Sequence, residues 1–406
     1  MINKSQVKIF TGETMKKDLS IRCSFCNATL EDAKKMIRGE KANICDDCLN
    51  KGYKLLKKEK PVHIKVLSPK DIYNKLSEQV IGQDEVKKIL SVSVYNHLLK
   101  INNRKEMSID KSNILLLGET GSGKTFIVKE LAKILDLPLA ITDATSLTEA
   151  GYVGDDVENI LLSLYEAANN DLELAERGII YIDEIDKIAK RGNNLSVTRD
   201  VSGEGVQQAL LKIIEGTTAL FPASGGRKYP FQGNIKINTE NILFIVGGAF
   251  SGLDKIITER LKYETNNTLD FVTEEDLIRF GMIPEFVGRI PLKGILKPIG
   301  YKELLEIMNN SHNAFINQYK NIFLGLGVKL EISDEVKEYI ASKCVELKLG
   351  ARGIKVFLDK IFIEIEFNLD YNKLPKEIIV SKDLIKDFLI ENDILRSSKI
   401  KNMCIS

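Results

Sequence analysis

The chain has 406 residues, contains no tryptophan and only three histidines, and shows no long apolar run. No segment approaches the roughly eighteen apolar residues that a membrane-spanning helix requires, and the first residues lack the apolar segment of a secretory signal. We therefore expect a cytoplasmic protein that does not bind a membrane. Six cysteines are too few for a disulfide-stabilised scaffold of this length.

Neither sign of charge is in excess, because 58 Lys and Arg residues face 57 Asp and Glu residues and the net charge is +1. This balance argues against binding that depends on bulk attraction to nucleic acid, so we expect no nucleic-acid partner. A hydrophobic content of 44% is enough to bury a core in each of roughly two to four domains.

The N-terminal part differs in composition from the rest of the chain. The first sixty residues hold four of the six cysteines and carry 14 Lys and Arg residues against 8 Asp and Glu residues. Residues 54–61 form a charged stretch that ends in proline, which is typical of a solvated linker. We therefore predict a separate small module over residues 1–60.

The middle of the chain, residues 61–298, alternates short apolar runs with longer helical periodicities. This alternation predicts the α/β class, with a parallel sheet covered by helices on both faces. The strand candidates are residues 114–117, 179–182 and 242–246, and helical patterns cover residues 127–135 and 157–168.

The last part, residues 299–406, predicts a smaller α+β domain. Its pattern has a long helical stretch over 301–323, a strand near 328–332, two further helical patterns and a short apolar run at 378–380. Cys344 lies on an apolar helical face and is predicted to be a core residue.

Four cysteines form two close pairs, Cys23 with Cys26 and Cys45 with Cys48, separated by eighteen residues. Two Cys-x-x-Cys turns at this spacing can converge on one tetrahedral zinc ion. No histidine lies within the pattern, so a closed structural Zn²⁺ site with four thiolates is preferred. Ordinary buried or disulfide-forming cysteines are the alternative.

A phosphate-binding P-loop follows the first strand candidate and precedes a helical pattern. The eight residues predicted to bind the nucleotide here are Gly118, Glu119, Thr120, Gly121, Ser122, Gly123, Lys124 and Thr125. The glycines let N–H groups close around phosphate, Lys124 neutralises the β and γ phosphates, and the Thr125 hydroxyl can hold Mg²⁺. A purely structural glycine turn is the alternative.

Acidic residues follow the second strand candidate. In a P-loop enzyme that hydrolyses ATP, Asp183 orients Mg²⁺ and Glu184 activates the water that attacks the γ-phosphate. Taken alone, such a pair is more often a helix N-cap, and the P-loop is what favours the catalytic interpretation. Asp186, two residues further on, is expected to be solvated.

The P-loop, the acidic strand end and the four-cysteine module together resemble ClpX, the zinc-containing AAA+ unfoldase family of the Clp proteins. The segment that holds Val80 and Ile81 resembles the family's adenine-side box, and residues 179–188 resemble its Walker B segment. The resemblance implies the AAA+ P-loop fold, a homohexamer, and ATP hydrolysis coupled to protein unfolding. It also implies unfolded or tagged proteins as substrates, with adaptors recruited through the zinc module.

The resemblance also assigns two arginines that would otherwise be read as surface residues. It implies that Arg289 is a finger that reaches a neighbouring subunit's nucleotide. It implies that Arg352 is a sensor of nucleotide state supplied by the small domain. Turnover, rather than a regulatory switch, is favoured by the presence of Lys124, Asp183, Glu184 and Arg289.

Three segments resemble the loops that line the family's central pore. Tyr152 and Val153 stand in the aromatic loop, Arg199 begins the second loop, and Arg227 and Lys228 stand in the charged loop at the pore entrance. Tyr229 occupies the position where the family usually has histidine. Taken alone, Tyr152 would be an ordinary loop tyrosine, whereas the resemblance implies a ring that grips an extended polypeptide.

One family feature is missing. ClpX proteins that feed the ClpP peptidase carry, after a Gly-Gly-Ala-Phe segment, a long loop with an Ile-Gly-Phe tripeptide. That segment is present at 247–250, but the connection that follows is short and has no such tripeptide; residues 269–271, Leu-Asp-Phe, are the nearest imitation. To dock on ClpP, the aspartate of this imitation would have to lose its water in the apolar pocket of the peptidase, which is costly. Docking to ClpP is therefore not expected.

Three other functions stay open at this point. The chain could be the ATPase subunit of a ClpXP-like protease that docks by another surface. It could also be a nucleic-acid AAA+ motor, although the basic excess is confined to the zinc module and one short loop. It could be a scaffold whose P-loop acts only as a switch. ATP turnover stimulated by unfolded protein but not by DNA distinguishes the unfoldase from the last two.

Overall fold

The computed structural model describes residues 8–11, 22–29, 32–33, 35–39, 41–57, 66–102, 111–148, 155–190, 203–222, 234–263, 265, 267–309 and 315–389. The chain separates into two compact units, Met1–Ile64 and Lys65–Ser406. Within the described ranges, no helix is both long and apolar enough to cross a membrane.

The N-terminal unit is a small antiparallel sheet followed by a helix. Its elements are β1 (Lys8–Thr11), β2 (Lys35–Arg38), β3 (Asn43–Cys45) and α1 (Asp46–Lys57). Strand β2 pairs with both β1 and β3, and this register places Met36 opposite Cys45. Cys23, Met36 and Cys45 form the buried centre, so the module is organised around its cysteines rather than around a large apolar core.

The linker prediction is wrong for residues 54–57, which continue helix α1. Lys and Leu are good helix formers, so the helix continues through this charged stretch. Two aspartates in the first turn of α1, Asp46 and Asp47, are favourable at the positive end of its dipole.

The larger unit contains a five-stranded parallel sheet with the order β12-β4-β11-β8-β5. Its strands and the shorter pairs beside it are β4 (Ile114–Leu117), β5 (Leu139–Asp143), β6 (Leu147–Thr148), β7 (Asp155–Asp156), β8 (Ile179–Asp183), β9 (Thr218–Pro222), β10 (Asn234–Asn238), β11 (Leu243–Gly248) and β12 (Leu292–Ile295).

The three strand candidates are confirmed as β4, β8 and β11, and they are adjacent in the sheet. Strand β11 begins one residue later than predicted and ends two residues later, at Gly248. Every residue of β4 and β11 is buried, as expected for parallel strands with both faces covered.

Helices cover this sheet. They are α2 (Pro69–Gln79), α3 (Asp84–Asn102), α4 (Lys124–Leu135), α5 (Asn159–Ala167), α6 (Leu172–Ala175), α7 (Glu204–Glu215), α8 (Leu253–Leu261), α9 (Glu274–Phe280) and α10 (Pro284–Gly288). Both predicted helical patterns are confirmed, and α4 ends where Asp136 adopts a left-handed backbone conformation. The α/β prediction is therefore correct.

The C-terminal part builds a second apolar core. Its elements are α11 (Tyr301–Asn309), α12 (Phe315–Gly325), β13 (Lys329–Ile332), α13 (Asp334–Glu346), α14 (Gly350–Asn368), β14 (Glu377–Val380) and α15 (Lys382–Leu389). Strands β13 and β14 are parallel neighbours, so α13 and α14 form the crossover between them.

The predicted α+β domain is thus present, and Cys344 is fully buried in its core as expected. The helical stretch predicted over 301–323 is described on both sides of residues 310–314, which lie outside the described residues.

Candidate active site

The P-loop occupies the turn between β4 and α4, at the carboxyl edge of the parallel sheet. The N–H of Gly118 donates to Gly248 O at 3.2 Å, which joins the start of the loop to the end of β11. Gly121 has φ 87°, and a Cβ atom there would lie 2.7 Å from the Leu349 carbonyl oxygen. Only glycine meets both conditions, so this position fixes the close approach of the P-loop to the start of α14.

Lys124, the first residue of α4, turns its side chain back over the loop. Its ammonium donates to Gly118 O at 2.6 Å and to Glu119 O at 3.2 Å. Burial lowers the pKa of Lys124, and the carboxylates of Asp183 and Asp186 oppose that shift. The charge of Lys124 therefore lies where the loop backbone closes.

Thr125 and Asp183 converge from two different elements. The Thr125 hydroxyl donates to Asp183 Oδ2 at 2.7 Å, and the N–H of Glu184 donates to Asp183 Oδ1 at 2.9 Å. A hydroxyl and a carboxylate are the hard oxygen ligands that Mg²⁺ prefers, so this pair fits the metal that accompanies ATP. The Tyr181 hydroxyl lies buried beneath this pair, and burial raises its pKa.

Glu184 follows β8 with φ 54°, a left-handed conformation that is uncommon for a residue with a side chain. It starts the short 3-10 helix Ile185–Ile188, but its side chain makes no capping hydrogen bond and is exposed. The Glu184 carboxylate is therefore not an N-cap. It lines the cleft that lies beside the P-loop.

The expectation that Asp186 is solvated is wrong. Its side chain is 4% exposed, and Oδ1 accepts the N–H of Ala249 at 3.2 Å. A Cβ atom on Gly248 would lie 2.7 Å from the same oxygen, so glycine at that position leaves room for the carboxylate. Asp186 thus ties the turn after β8 to the end of β11.

The adenine-side residues Val80 and Ile81 line the same cleft after the end of α2. Beside them the Gln83 amide makes two hydrogen bonds with the Lys297 backbone, donating at 2.7 Å and accepting at 2.9 Å. Its Nε2 also lies 3.4 Å from Ser122 O of the P-loop. Gln83 therefore joins this segment to the P-loop and to the chain that follows β12.

A cleft of about 510 Å³ is lined by the side chains of Val80, Ile81, Gln83, Lys124, Thr125, Asp183, Glu184 and Asp186. The part of its lining that the sequence predicted to bind nucleotide is Val80, Ile81, Thr120, Gly121, Ser122, Gly123, Lys124, Thr125, Asp183, Glu184 and Arg352. Arg352 comes from the first turn of α14, and the Ala351 N–H beside it donates to Gly121 O at 3.3 Å. Both apolar cores of the larger unit therefore contribute to one site.

In the N-terminal unit the ligand sulfurs of Cys23, Cys26, Cys45 and Cys48 all lie within 4.8 Å of one another. Burial raises the pKa of the Cys23 thiol, but the N–H groups of Cys26, Cys45 and Phe25 outweigh it and lower that pKa to about 6. Four converging sulfurs fit a tetrahedral zinc ion.

Comparison with known proteins agrees with both sites. The description "ClpX C4-type zinc finger" matches residues 21–58, "AAA domain (Cdc48 subfamily)" matches 109–293, and "C-terminal, D2-small domain, of ClpB protein" matches 301–364. Two relatives named "ATP-dependent Clp protease ATP-binding subunit ClpX", from Borrelia duttonii (strain Ly) and Borrelia recurrentis (strain A1), are each 45% identical over 397 residues, covering 92% of this chain and 92% of the relative.

The chain belongs to the ClpX family. It is therefore an AAA+ ATPase that uses ATP with Mg²⁺, and its N-terminal unit is a four-cysteine zinc finger. As in the ClpX family generally, it is an oligomeric ATPase with protein substrates.

Gly118 and Glu119, which begin the P-loop, are not among the residues that line this cleft, and neither is Arg289, the predicted finger. The guanidinium of Arg289 instead contacts Glu215 Oε1, at 3.0 Å from Nε and 2.9 Å from Nη2. The residues predicted to line a pore, Tyr152, Val153, Arg199, Arg227 and Lys228, lie outside the described residues.

Sequence reasoning missed Gln83 and Asp186. The segment that contains Gln83 is recognisable from its apolar residues, and Asp186 is only one of three acids that follow the strand candidate. Their signal in the sequence is weak because their backbone partners, Lys297 and Ala249, lie 214 and 63 residues away.

Proposed function

We propose that this chain assembles as a homohexameric ring that unfolds or disassembles proteins by threading them through its pore, and that it does so without ClpP. The observation that carries the proposal is the cleft in which the P-loop, the acids after β8 and Arg352 from α14 meet. Because the site is built from both parts of the larger unit, a change of nucleotide state can alter how the two parts are placed relative to each other. Hydrolysis would drive motion in this way.

Each side chain in the cleft has a role that its position supports. Lys124 would exchange its two loop carbonyl partners for phosphate oxygens, since a buried ammonium binds an anion more strongly than a neutral carbonyl. Mg²⁺ held at Thr125 and Asp183 would neutralise charge on the β and γ phosphates. Glu184, which has no other bonding role, would take the proton of the attacking water.

Arg289 supports assembly into a ring. It lies at the end of α10, on the surface, and is paired with Glu215 rather than with groups of its own cleft. An exposed arginine in this place would reach the nucleotide of a neighbouring subunit and stabilise charge on the transferred phosphoryl group. The pore residues, above all Tyr152, would then grip the polypeptide, and the zinc finger would recruit substrates or adaptors.

The region after β11 supports independence from ClpP. Helix α8 ends at Leu261 and α9 begins at Glu274, and the two are joined by the guanidinium of Arg260, which contacts Asp276 at 2.8 Å and 2.9 Å. The same guanidinium donates to Phe271 O at 2.7 Å. The Leu-Asp-Phe imitation thus forms a short 3-10 helix held by this contact, rather than the long flexible loop that docks on ClpP.

ATP turnover with different stimulants tests the proposed motor. Hydrolysis should rise when an unfolded protein is added and stay unchanged when single- or double-stranded DNA is added. Stimulation by DNA alone would favour a nucleic-acid motor, and no stimulation by either would favour a regulatory switch. The Glu184→Gln protein, which lacks the base, is the control for contaminating ATPases.

A second candidate is the ATPase subunit of a ClpXP-like protease that docks by another surface. The two Borrelia relatives are named as subunits of a Clp protease, which favours this second candidate. Sedimentation of the ATP-bound ring mixed with ClpP separates the two candidates. Independent sedimentation agrees with the first candidate, and a stable complex establishes the second.

A further inference from the structure

The backbone of Arg289 is fixed by a buried side chain. Asn113, immediately before β4, is 2% exposed, and its Nδ2 donates to Arg289 O at 2.8 Å. The other end of the same amide, Oδ1, accepts the N–H of Phe244 at 3.4 Å. The Arg289 N–H donates to Phe286 O within α10 at 3.1 Å. The position of Arg289 is therefore set by the strand that leads into the P-loop.

The guanidinium has a separate partner, Glu215, the last residue of α7. Nε and Nη2 of Arg289 both contact Oε1 of Glu215, at 3.0 Å and 2.9 Å. Two contacts to one oxygen restrict the direction in which the guanidinium points. The two side chains are 57% and 41% exposed, so the pair lies at the surface of the subunit.

Helix α7, which supplies Glu215, is itself firmly held. The fully buried Gln207 side chain donates to Ile188 O at 2.8 Å and to Gly281 O at 3.3 Å, and accepts the N–H of Ile283 at 2.8 Å. One amide thus joins α7 to the turn that follows the catalytic acids and to the segment that leads into α10.

The far end of α7 is held as well. The ammonium of Lys111 donates to Ile214 O at 3.0 Å and to Thr239 O at 2.9 Å, and lies 4.5 Å from the centre of the Phe244 ring. Helix α7 therefore carries Glu215 at a fixed place relative to the P-loop strand.

We propose that Glu215 is a positioning residue for Arg289: it holds the guanidinium in the orientation offered to the neighbouring subunit's nucleotide. The inference rests on the proposed ring, in which Arg289 acts in trans.

The weakness of an exposed ion pair suits this role. Such pairs contribute little to stability, so Glu215 can orient the guanidinium and still release it to a phosphate, whose contact with arginine is stronger. For the same reason, loss of the pair should leave the fold intact. A positioning role therefore predicts a kinetic defect without a loss of stability.

Steady-state ATP hydrolysis tests the orientation. Glu215→Ala should lower kcat by about tenfold to a hundredfold, because misplacing a catalytic group by about 1 Å has effects of this size. KM for ATP should stay within about twofold, since Glu215 does not line its own cleft. Glu215→Gln keeps one acceptor oxygen, so its kcat should lie between that of Glu215→Ala and that of the unchanged protein.

Glu259→Gln is the matched control, because it removes another exposed Glu–Arg pair, with Arg279, on α8 and α9. This variant should hydrolyse ATP at the normal rate, and all variants should keep their melting temperature. Normal kcat in Glu215→Ala, or a raised KM with unchanged kcat, would overturn the inference.

Mixed rings show whether Glu215 acts through the neighbour. Glu184→Gln subunits cannot hydrolyse ATP but retain the Arg289–Glu215 pair, and Glu215→Ala subunits have an intact cleft. Rings mixed from the two should recover hydrolysis, whereas mixing Glu215→Ala with the double variant Glu184→Gln/Arg289→Ala should not. No recovery in the first mixture would place the effect of Glu215 inside its own subunit and overturn the inference.

The Arg289→Ala protein separates failure of this inference from failure of the proposed function. Loss of hydrolysis in Arg289→Ala together with normal hydrolysis in Glu215→Ala overturns the positioning role alone. Normal hydrolysis in Arg289→Ala overturns the trans role of Arg289 and the inference with it.

Discussion

At the scale of single residues, the candidate catalytic base is Glu184, whose side chain makes no capping hydrogen bond. Glu184 has a left-handed backbone conformation, although it begins a helical turn. Such a conformation costs about 1 to 3 kcal/mol and persists at functional sites because the surrounding structure enforces it. Here β8 and the buried Asp186 hold both sides of the turn, which keeps the Glu184 carboxylate facing the cleft.

Replacing Glu184 by glutamine tests its role as the base. The Glu184→Gln protein should still bind ATP, because shape and the Thr125–Asp183 pair are retained, while hydrolysis falls by about a hundredfold or more. Lys124→Ala should instead lose ATP binding itself. Equilibrium binding of a fluorescent ATP analogue, measured beside turnover, distinguishes the two, and normal turnover in Glu184→Gln would contradict the assignment.

His97 makes the stability of the larger unit sensitive to acid. It is buried in α3, and burial, with Lys111 nearby, lowers its pKa from 6.5 to about 4. The folded protein therefore binds fewer protons than the unfolded chain in this interval, so stability is lost as pH falls from about 6.5 to 4. The full loss is about 3 kcal/mol.

Urea unfolding at several pH values measures this effect. His97→Asn, which cannot titrate, should show a flatter dependence on pH between 6.5 and 4 than the unchanged protein, whatever its absolute stability. Equal slopes for the two proteins in that interval would show that His97 is not the group responsible.

At the scale of elements, local signals predict what is built locally. The P-loop, β4 and α4 were predictable because an apolar run, a glycine-rich turn and a 3.6-residue periodicity follow one another within a short segment. Asp186 and Gln83 were not, because a sequence does not reveal which distant backbone will meet a polar side chain. The charge of residues 54–57 favours a linker, whereas their helix propensity favours the helix that the structure shows.

The zinc finger is an element that can be tested by itself, because it forms a compact unit separate from the ATPase. The purified protein should contain about one zinc ion per chain, and Cys45→Ser should release it. ATP hydrolysis should be retained. Cys344→Ser, at a cysteine outside the cluster, should keep its zinc; zinc retained after Cys45→Ser, measured by mass spectrometry of metals, would contradict the four-cysteine site.

At the scale of the whole molecule, one cleft depends on both parts of the larger unit. Gly121 of the P-loop and the start of α14 approach so closely that neither has room for an additional side chain. In the proposed ring, a change in what the cleft holds would alter this contact. That movement would reach the polypeptide through the pore loops and the next subunit through Arg289.

The aromatic pore residue separates hydrolysis from mechanical work. Tyr152→Ala should hydrolyse ATP but unfold substrates more slowly, because a grip without an aromatic ring slips on the polypeptide. Tyr152→Phe keeps the ring and should retain most of the unfolding rate. Equal unfolding rates in Tyr152→Ala and the unchanged protein would remove the gripping role.

The most direct test of the whole account is ATP-dependent loss of fluorescence from a tagged fluorescent protein, measured with a trap that prevents refolding and with or without ClpP. We expect fluorescence to fall with ATP, to persist with the Glu184→Gln protein, and to leave the substrate polypeptide uncut when ClpP is present. Fluorescence that persists with ATP for every tag tested would contradict the unfoldase function, and cleavage of the substrate by added ClpP would contradict independence from that peptidase.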